Sequence, residues 1–189
     1  MKLILASNSP RRKEILLSAG YEFSIISSDY QEKTFSLDPI LTATTFALGK
    51  AKSVFSALSD KETSVVLGAD TVVYSDGKIL GKADCDENAV KMLKSLNAKT
   101  HTVITGYALI FAGGEIVGRT ESKVTFNDLT DKQIEEYVKS GLYKGKAGSY
   151  GIQDPFPLVK CCDGSLNNVI GLPIEEIAPL IDKLLKGER

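Results

Sequence analysis

The most constraining feature of this chain is an apolar strand that runs straight into a polar turn and a basic helix start. Leu3, Ile4, Leu5 and Ala6 read as the strand, and Ser7, Asn8, Ser9 and Pro10 as the turn. Arg11 and Arg12 then open a helix over 10–19 that Gly20 closes. Ser9 suits the N-cap and Pro10 the first helical position. Such a turn aims backbone N–H groups and the positive end of a helix dipole at one point. Two guanidiniums beside it make a phosphate clamp. The alternative for the same residues is a capped surface helix with solvated arginines. A strand–turn–helix start of this kind belongs to α/β folds.

With 189 residues, 43% of them apolar, the chain is long enough for a single compact domain over 1–189 with a full core. A net charge of −1 argues against a nucleic acid polymer as partner, whose binding surface would be basic, so the arginines are a local feature. No apolar run approaches the roughly 20 residues of a membrane span. Met1-Lys2 and the short apolar run after it do not make a signal peptide. The expectation is a cytoplasmic protein without a membrane partner. Cys85, Cys161 and Cys162 contain no C-x-x-C pair, and His101 is the single histidine, a poor set for structural zinc. The odd cysteine count fits a reducing compartment. Cys161 and Cys162 read as side chains in or beside a late strand, with a redox pair as the alternative.

Strand and helix signals alternate along the chain. Residues 23–27 read as a strand, 29–39 as a polar loop carrying Asp29, Glu32 and Lys33, and 40–58 as a helix with apolar positions near a 3.6 period. Residues 64–74 are β-rich and apolar, which predicts a buried central strand, and Asp76-Gly77 signals a hairpin. A helix over 86–96 starts from a capping aspartate, Asp84 or Asp86. A long hairpin follows, 100–112 and 115–126 about Gly113-Gly114, then a helix over 131–140 capped by Thr130. A glycine-rich basic loop (141–151), a strand (156–162), a turn (163–168) and a helix (174–186) complete the chain. This order predicts an α/β fold with a mixed, partly antiparallel central sheet and a cleft between two lobes.

Asp70 is the second anomaly, a carboxylate inside the apolar run Leu67-Gly68-Ala69-Asp70-Thr71-Val72-Val73. A buried charge is costly unless it meets a metal, a cation or strong donors. It reads as a catalytic or metal-binding carboxylate, or as a loop cap or the partner of a buried lysine. Lys50 and Lys52 are two apart on a helix, so at most one reaches a site, and for either alone a solvated position is the default. Lys82 follows the Asp70 hairpin and can fold back over the same strand. Glu32 sits in a loop, where a carboxylate is usually solvated, and His101 reads as a structural hydrogen-bonder. In the loop Gly145–Gln153, glycines allow close backbone approach to a ligand, and Gln153 can both donate and accept at a base edge.

Together, Ser7-x-Ser9-Pro10-Arg11-Arg12, Gly68-Ala69-Asp70-Thr71, Gly81-Lys82, His101-Thr102-Val103-x-Thr105-Gly106, Lys146-Ala147-Gly148-x-Tyr150-Gly151-Ile152-Gln153 and Gly171-Leu172-Pro173, in this order, resemble the Maf (septum formation) family of nucleoside triphosphate pyrophosphatases. The match runs from residue 3 to about residue 180. It implies an elongated α/β fold like that of inosine triphosphate pyrophosphatases. It also implies hydrolysis of the α–β phosphate bond to a nucleoside monophosphate and pyrophosphate with Mg²⁺ or Mn²⁺. By resemblance Asp70 is the proton acceptor, and Arg12, Thr71 and Gln153 fall at specificity positions. Ser7, Arg11 and Arg12 would hold the phosphates, Lys50 and Lys82 would add charge, and Glu32 and Asp70 would hold the metal. The Gly151-Ile152-Gln153 form resembles the branch acting on dTTP and UTP rather than the one acting on 7-methyl-GTP. A homodimer is a further expectation from the resemblance.

Three departures stand out. Asp154-Pro155 follows Gln153 where the family usually has glycine, Ala83 stands where proline is usual after the lysine, and 28–33 matches loosely. The rival readings are a non-catalytic nucleotide-binding regulator of cell division, a nucleotidyl or sugar-nucleotide transferase, and a redox protein using Cys161-Cys162.

Overall fold

The computed structural model describes residues 1–32 and 38–187, so Lys33 lies outside the described residues. In chain order the elements are β1 (Lys2–Leu5), α1 (Pro10–Ser18), β2 (Phe23–Ile25), α2 (Pro39–Ala57), β3 (Ser64–Ser75), β4 (Lys78–Leu80) and α3 (Asp86–Leu96). They continue with β5 (Thr100–Phe111), β6 (Gly114–Phe126), α4 (Asp131–Lys139), β7 (Val159–Asp163), α5 (Leu166–Ile170) and α6 (Ile174–Leu185). The expected strands and helices are present, with ends shifted by no more than three residues. Short α5 occupies part of the stretch expected as a turn. The cap of α3 is a correction: Cys85 holds the N-cap position, Asp86 is already helical, and the Asp84 carboxylate accepts instead from Asn88 Nδ2 (2.6 Å).

One mixed sheet runs β2-β1-β3-β5-β6-β7, with β4 also on β3. β1 pairs in parallel with both β2 and β3, whereas β3, β5, β6 and β7 are antiparallel. From β1 the chain crosses through α1 to β2 on one side, then returns through α2 to β3 on the other. The right-handed crossover rule therefore sends α1 and α2 to opposite faces. The point where consecutive connections part, at the C-terminal end of β1, is where open α/β sheets form a crevice.

A second device widens that crevice. β3 is long, but its partner changes along one edge: β1 pairs with Ser64–Leu67 and β4 with Val73–Ser75. Residues 68–72, which include Asp70 and Thr71, therefore face an open seam on that side while β5 holds the other. Alternation along the strand sends Asp70 to the α2 face and Thr71 to the α1 face.

The apolar residues gather at two ends of the long β3–β5–β6 ribbon. At one end Leu93, Leu96, Phe126, Ile134, Tyr137 and Leu158 pack beneath α3 and α4. At the other, Leu3, Leu5, Leu16, Leu67, Leu109, Ile177 and Ile181 pack beneath α1 and α6, with Ala47, Ala51 and Val54 of α2 on the opposite face. These are the two expected lobes, and the seam in β3 lies between them. Helix α2 sits unusually close to the sheet. A Cβ on Gly106 would collide with the backbone of Ala43 and Thr44, and one on Gly68 with the backbone of Ala47 and Ala51.

His101 is a structural hydrogen-bonder, as expected. It is buried, its Nε2 lies 2.8 Å from Tyr150 Oη, and it stacks edge-on against Phe126 and Tyr150. Burial pushes its pKa down to about 4. The folded chain thus refuses a proton that the unfolded chain accepts below about pH 6.5. Stability is expected to fall as pH drops from about 6.5 toward 4, and His101→Gln should remove roughly 2–3 kcal/mol of that fall. Urea unfolding of both proteins at pH 7 and pH 4 measures it, and identical pH dependence would refute the assignment. Gly106→Ala is expected to cost at least ~2 kcal/mol by overpacking α2 against β5, read as a lowered unfolding midpoint.

Candidate active site

The turn at residues 7–12 forms as the sequence predicts, with one change of roles. Ser9 occupies the N-cap and Pro10 the first turn of α1, but the Ser9 hydroxyl makes no capping bond. Ser7 Oγ instead accepts from Ser9 N (3.2 Å) and from Arg12 Nη1 (3.2 Å). Arg12 is anchored on three sides, since its Nε also donates to the Gly171 carbonyl (2.8 Å) and its Nη2 to Thr71 Oγ1 (3.2 Å). Burial lowers its pKa, with Asp70 opposing, yet an arginine stays charged at any relevant pH. Arg11 spans the cleft, its Nη2 donating to the Gly145 carbonyl of the opposite lobe (3.3 Å).

Behind Arg12 lies a polar chain that the sequence did not announce. Thr71 Oγ1 and Thr105 Oγ1 are 2.9 Å apart, and Thr105 Oγ1 donates to the Asn168 carbonyl (2.8 Å). The fully buried Asn168 amide binds Thr105 N, the Val103 carbonyl and Ser122 Oγ. Every polar atom of that amide thus has a partner, which fixes α5 and, through Gly171, the Arg12 guanidinium.

On the other face, close packing of α2 brings Lys50 to Asp70. Lys50 Nζ lies 2.6 Å from Asp70 Oδ1 and 2.6 Å from Glu32 Oε1. The solvated default for Lys50 is therefore corrected. Lys52 takes the exposed role, paired with Glu115 (2.7 Å). Glu32 too is drawn out of a purely solvated role. Its side chain is 39% exposed and that of Asp70 12%. Burial dominates at Asp70 and raises its pKa, although Lys50 and Arg12 pull the other way. At the more open Glu32, burial is outweighed by the hydrogen bond and charge of Lys50, helped by Lys82 and Arg12, and the pKa is lowered.

The cleft has two connected parts. The inner part is walled by Val73, Val103, Ala147, Tyr150 and Val169, with Asp70, Thr71 and Gln153 also lining it. The outer part is polar, with Ser7, Asn8, Ser28, Tyr30, Glu32 and Lys144. Ser9, Arg11, Arg12, Lys50, Lys82 and Gly145 border both parts. Lys82 is held there by its backbone, which bridges Ala147, while Gly148 N donates to the Gly81 carbonyl (2.9 Å). All nine expected site residues, Ser7, Arg11, Arg12, Glu32, Lys50, Asp70, Thr71, Lys82 and Gln153, thus border this cleft. Arg11, Arg12, Lys82 and Lys144 have no carboxylate partner among the described residues.

Glu32 and Asp70 converge on a point that already accepts a cation, the Lys50 ammonium. Two carboxylates completed by water and phosphate oxygens suit Mg²⁺ or Mn²⁺. Among the described residues no three His, Cys, Asp or Glu side chains cluster, so an all-protein metal cage is absent from them. The cysteines are free thiols, Cys161 exposed and Cys162 half-buried on β7, away from the cleft lining.

A seamed mixed sheet around an open crevice, lined by cations that lack carboxylate partners among the described residues, defines an α/β protein with a positively charged cleft. The chain belongs to the Maf family: the family model described as Maf-like protein matches residues 2–184. It is 43% identical over 184 residues to a Moorella thermoacetica protein named dTTP/UTP pyrophosphatase, covering 95% of this chain and 93% of that one. It is 44% identical over 176 residues to a Thermococcus kodakarensis protein of the same name, covering 93% of each. Among solved structures, the Staphylococcus aureus Ham1 protein superposes over the full length of both chains with a TM-score of 0.54 at 15% identity, a likeness of fold alone.

Lys50 links the two carboxylates, so its removal is informative. Lys50→Met is expected to lower kcat/KM at least ~100-fold by removing a positioned charge. Without the ammonium that favours its ionised form, Asp70 should also titrate at higher pH. The acid limb of the pH–rate profile is then expected to move upward. An unmoved limb in a folded variant would show that Lys50 and Asp70 are not coupled.

Proposed function

We propose that this protein is a nucleoside triphosphate pyrophosphatase. It hydrolyses dTTP and UTP between the α- and β-phosphates, releasing the nucleoside monophosphate and pyrophosphate. The observation that carries the reading is the set of four cations, Arg11, Arg12, Lys82 and Lys144, that line the cleft without carboxylate partners among the described residues, beside an inner part that also carries Val73, Val103, Tyr150 and Val169. A nucleotide matches such a cleft, with a flat base at one end and about four negative charges on the triphosphate at the other. The names of the relatives, 38–44% identical, support the same substrate class.

The base enters the inner pocket, beside Tyr150 and under Gln153. The triphosphate runs outward along Ser7, Arg11, Arg12 and the first amides of α1, which have no intrahelical acceptors. Glu32 and Asp70 are the residues that would hold Mg²⁺ or Mn²⁺, which supplies charge neutralisation on the phosphate oxygens when bound. Water adds to the α-phosphorus as the bond to the bridging oxygen breaks, and the pair of electrons leaves with pyrophosphate. Asp70 orients this water and takes its proton. Lys50 keeps Asp70 ionised, and Arg11, Arg12 and Lys82 stabilise charge gathering on the leaving group.

Among the described residues no helix is long and apolar enough to cross a membrane. A dimer working in the cytoplasm, clearing unwanted pyrimidine triphosphates, completes the proposal.

The test is release of monophosphate and pyrophosphate from dTTP, UTP, CTP, GTP and 7-methyl-GTP with Mg²⁺ or Mn²⁺, alongside Asp70→Asn. Equimolar products from dTTP and UTP, lost in the variant, are expected. Because burial raises the Asp70 pKa, its ionised form opposes folding at neutral pH. Asp70→Asn should therefore keep or raise Tm while abolishing turnover. Binding without hydrolysis would favour a regulator, and turnover of 7-methyl-GTP alone would place the chain in the sister branch.

A further inference from the structure

We propose that Asp154 is a positioning residue for base recognition: through Lys146 and Tyr137 it sets the 151–154 turn that presents Gln153 at the inner pocket. This rests on the nucleotide-cleft reading above. Asp154 belongs to the Asp154-Pro155 departure noted in the sequence, and it lines neither part of the cleft.

The turn is pinned from several directions. Asp154 N donates to the Gly151 carbonyl (3.1 Å), closing it. Gly151 N donates to Tyr137 Oη (3.1 Å), which in turn donates to Asp154 Oδ2 (2.6 Å). Tyr137 is fully buried on α4, so both ends of the turn are tied to a rigid helix. Lys146 donates to Asp154 Oδ1 (2.6 Å) and Oδ2 (2.5 Å), with the two side chains 10% and 7% exposed. A Cβ on Gly151 would fall 2.5 Å from Lys146 Nζ, so the turn backbone rests directly on the ion pair.

Gln153 lies inside this turn. It is exposed, and its side-chain amide has no hydrogen bond among the described residues, so it is free to meet a base edge. An amide that reads donor and acceptor positions discriminates only if its Cα is held still. A buried ion pair is a costly way to gain stability, since apolar side chains of the same volume do as well. What it adds here is direction. Lys146 borders the inner pocket, yet Asp154 neutralises it, so it serves the turn and not the phosphates.

The test uses Asp154→Ala and the double variant Lys146→Met/Asp154→Ala, which removes the unpaired ammonium that the single variant leaves. The readouts are Tm, kcat and KM for dTTP and CTP, and dTTP affinity by calorimetry in an Asp70→Asn background. Asp154→Ala is expected to lower Tm, to raise KM for dTTP about tenfold with a smaller change in kcat, and to narrow the dTTP/CTP preference. The double variant is expected to recover Tm while KM and preference stay impaired. Recovery of Tm, KM and preference together would show a structural role only and overturn the proposal. So would unchanged dTTP affinity in the Asp154→Ala/Asp70→Asn protein, even if the parent proves to bind dTTP without hydrolysing it. A parent that neither binds nor hydrolyses dTTP would overturn both proposal and function.

Discussion

Backbone contact between α2 and the sheet determines where the chemistry sits. At Gly68 and Gly106 there is no room for a β-carbon, because the α2 main chain already occupies that space. Asp70 is the register partner of Gly106. The same contact that seats the helix therefore sets the distance from Lys50 to the carboxylate. Lysine is long and flexible, and a helix standing farther off would leave its ammonium in solvent. Here the ammonium is held 2.6 Å from two carboxylates. The site is thus built from packing first, with charges placed as a consequence.

The seam in β3 supplies the second condition. A strand bonded on both edges shows a ligand only its two faces, and Asp70 and Thr71 would then serve separate surfaces. Because β1 stops at Leu5, opposite Leu67, and β4 reaches no further than Leu80, opposite Val73, the backbone around Asp70 is open along one edge. A ligand in the seam can reach both alternating side chains. The turn after β1 delivers Arg12 to Thr71 at the same place, and the loop after β4 delivers Lys82.

Much of this was legible in the sequence, for physical reasons that can be named. The 7–12 turn was readable because serine, proline and arginine each have a local role at a helix start. Asp70 was readable because a carboxylate in an apolar run violates burial. Lys50 entered only through the family resemblance, because its distance to Asp70 depends on two glycines in separate strands, and neither shows locally that a helix lies on it. Asn168 was missed for a similar reason: it looks like an ordinary turn residue until its amide meets β5 and β6. Lys146 lies in what the sequence shows only as a glycine-rich basic loop, and only the fold shows that it is buried against Asp154. The α3 cap failed differently, since two aspartates flanked the true cap and local propensity could not choose between them.

The charges of the cleft divide into two populations with different fates. Lys50 and Lys146 are satisfied by carboxylates and serve geometry, one joining Asp70 to Glu32 and the other bracing the Gln153 turn through Asp154. Arg11, Arg12, Lys82 and Lys144 lack carboxylate partners among the described residues, and their mutual repulsion is left for a polyanion to relieve. Gathering unpaired cations opposes folding, just as ionising buried Asp70 does. Both are concentrated in the seam, the part of the sheet that has already given up strand pairing. The two hydrophobic lobes on either side carry the stability that lets this strained centre persist. The cost of these charges is offset by the larger cores toward the ends of the ribbon, to which Ala69, Val72 and Val73 beside Asp70 tie the seam.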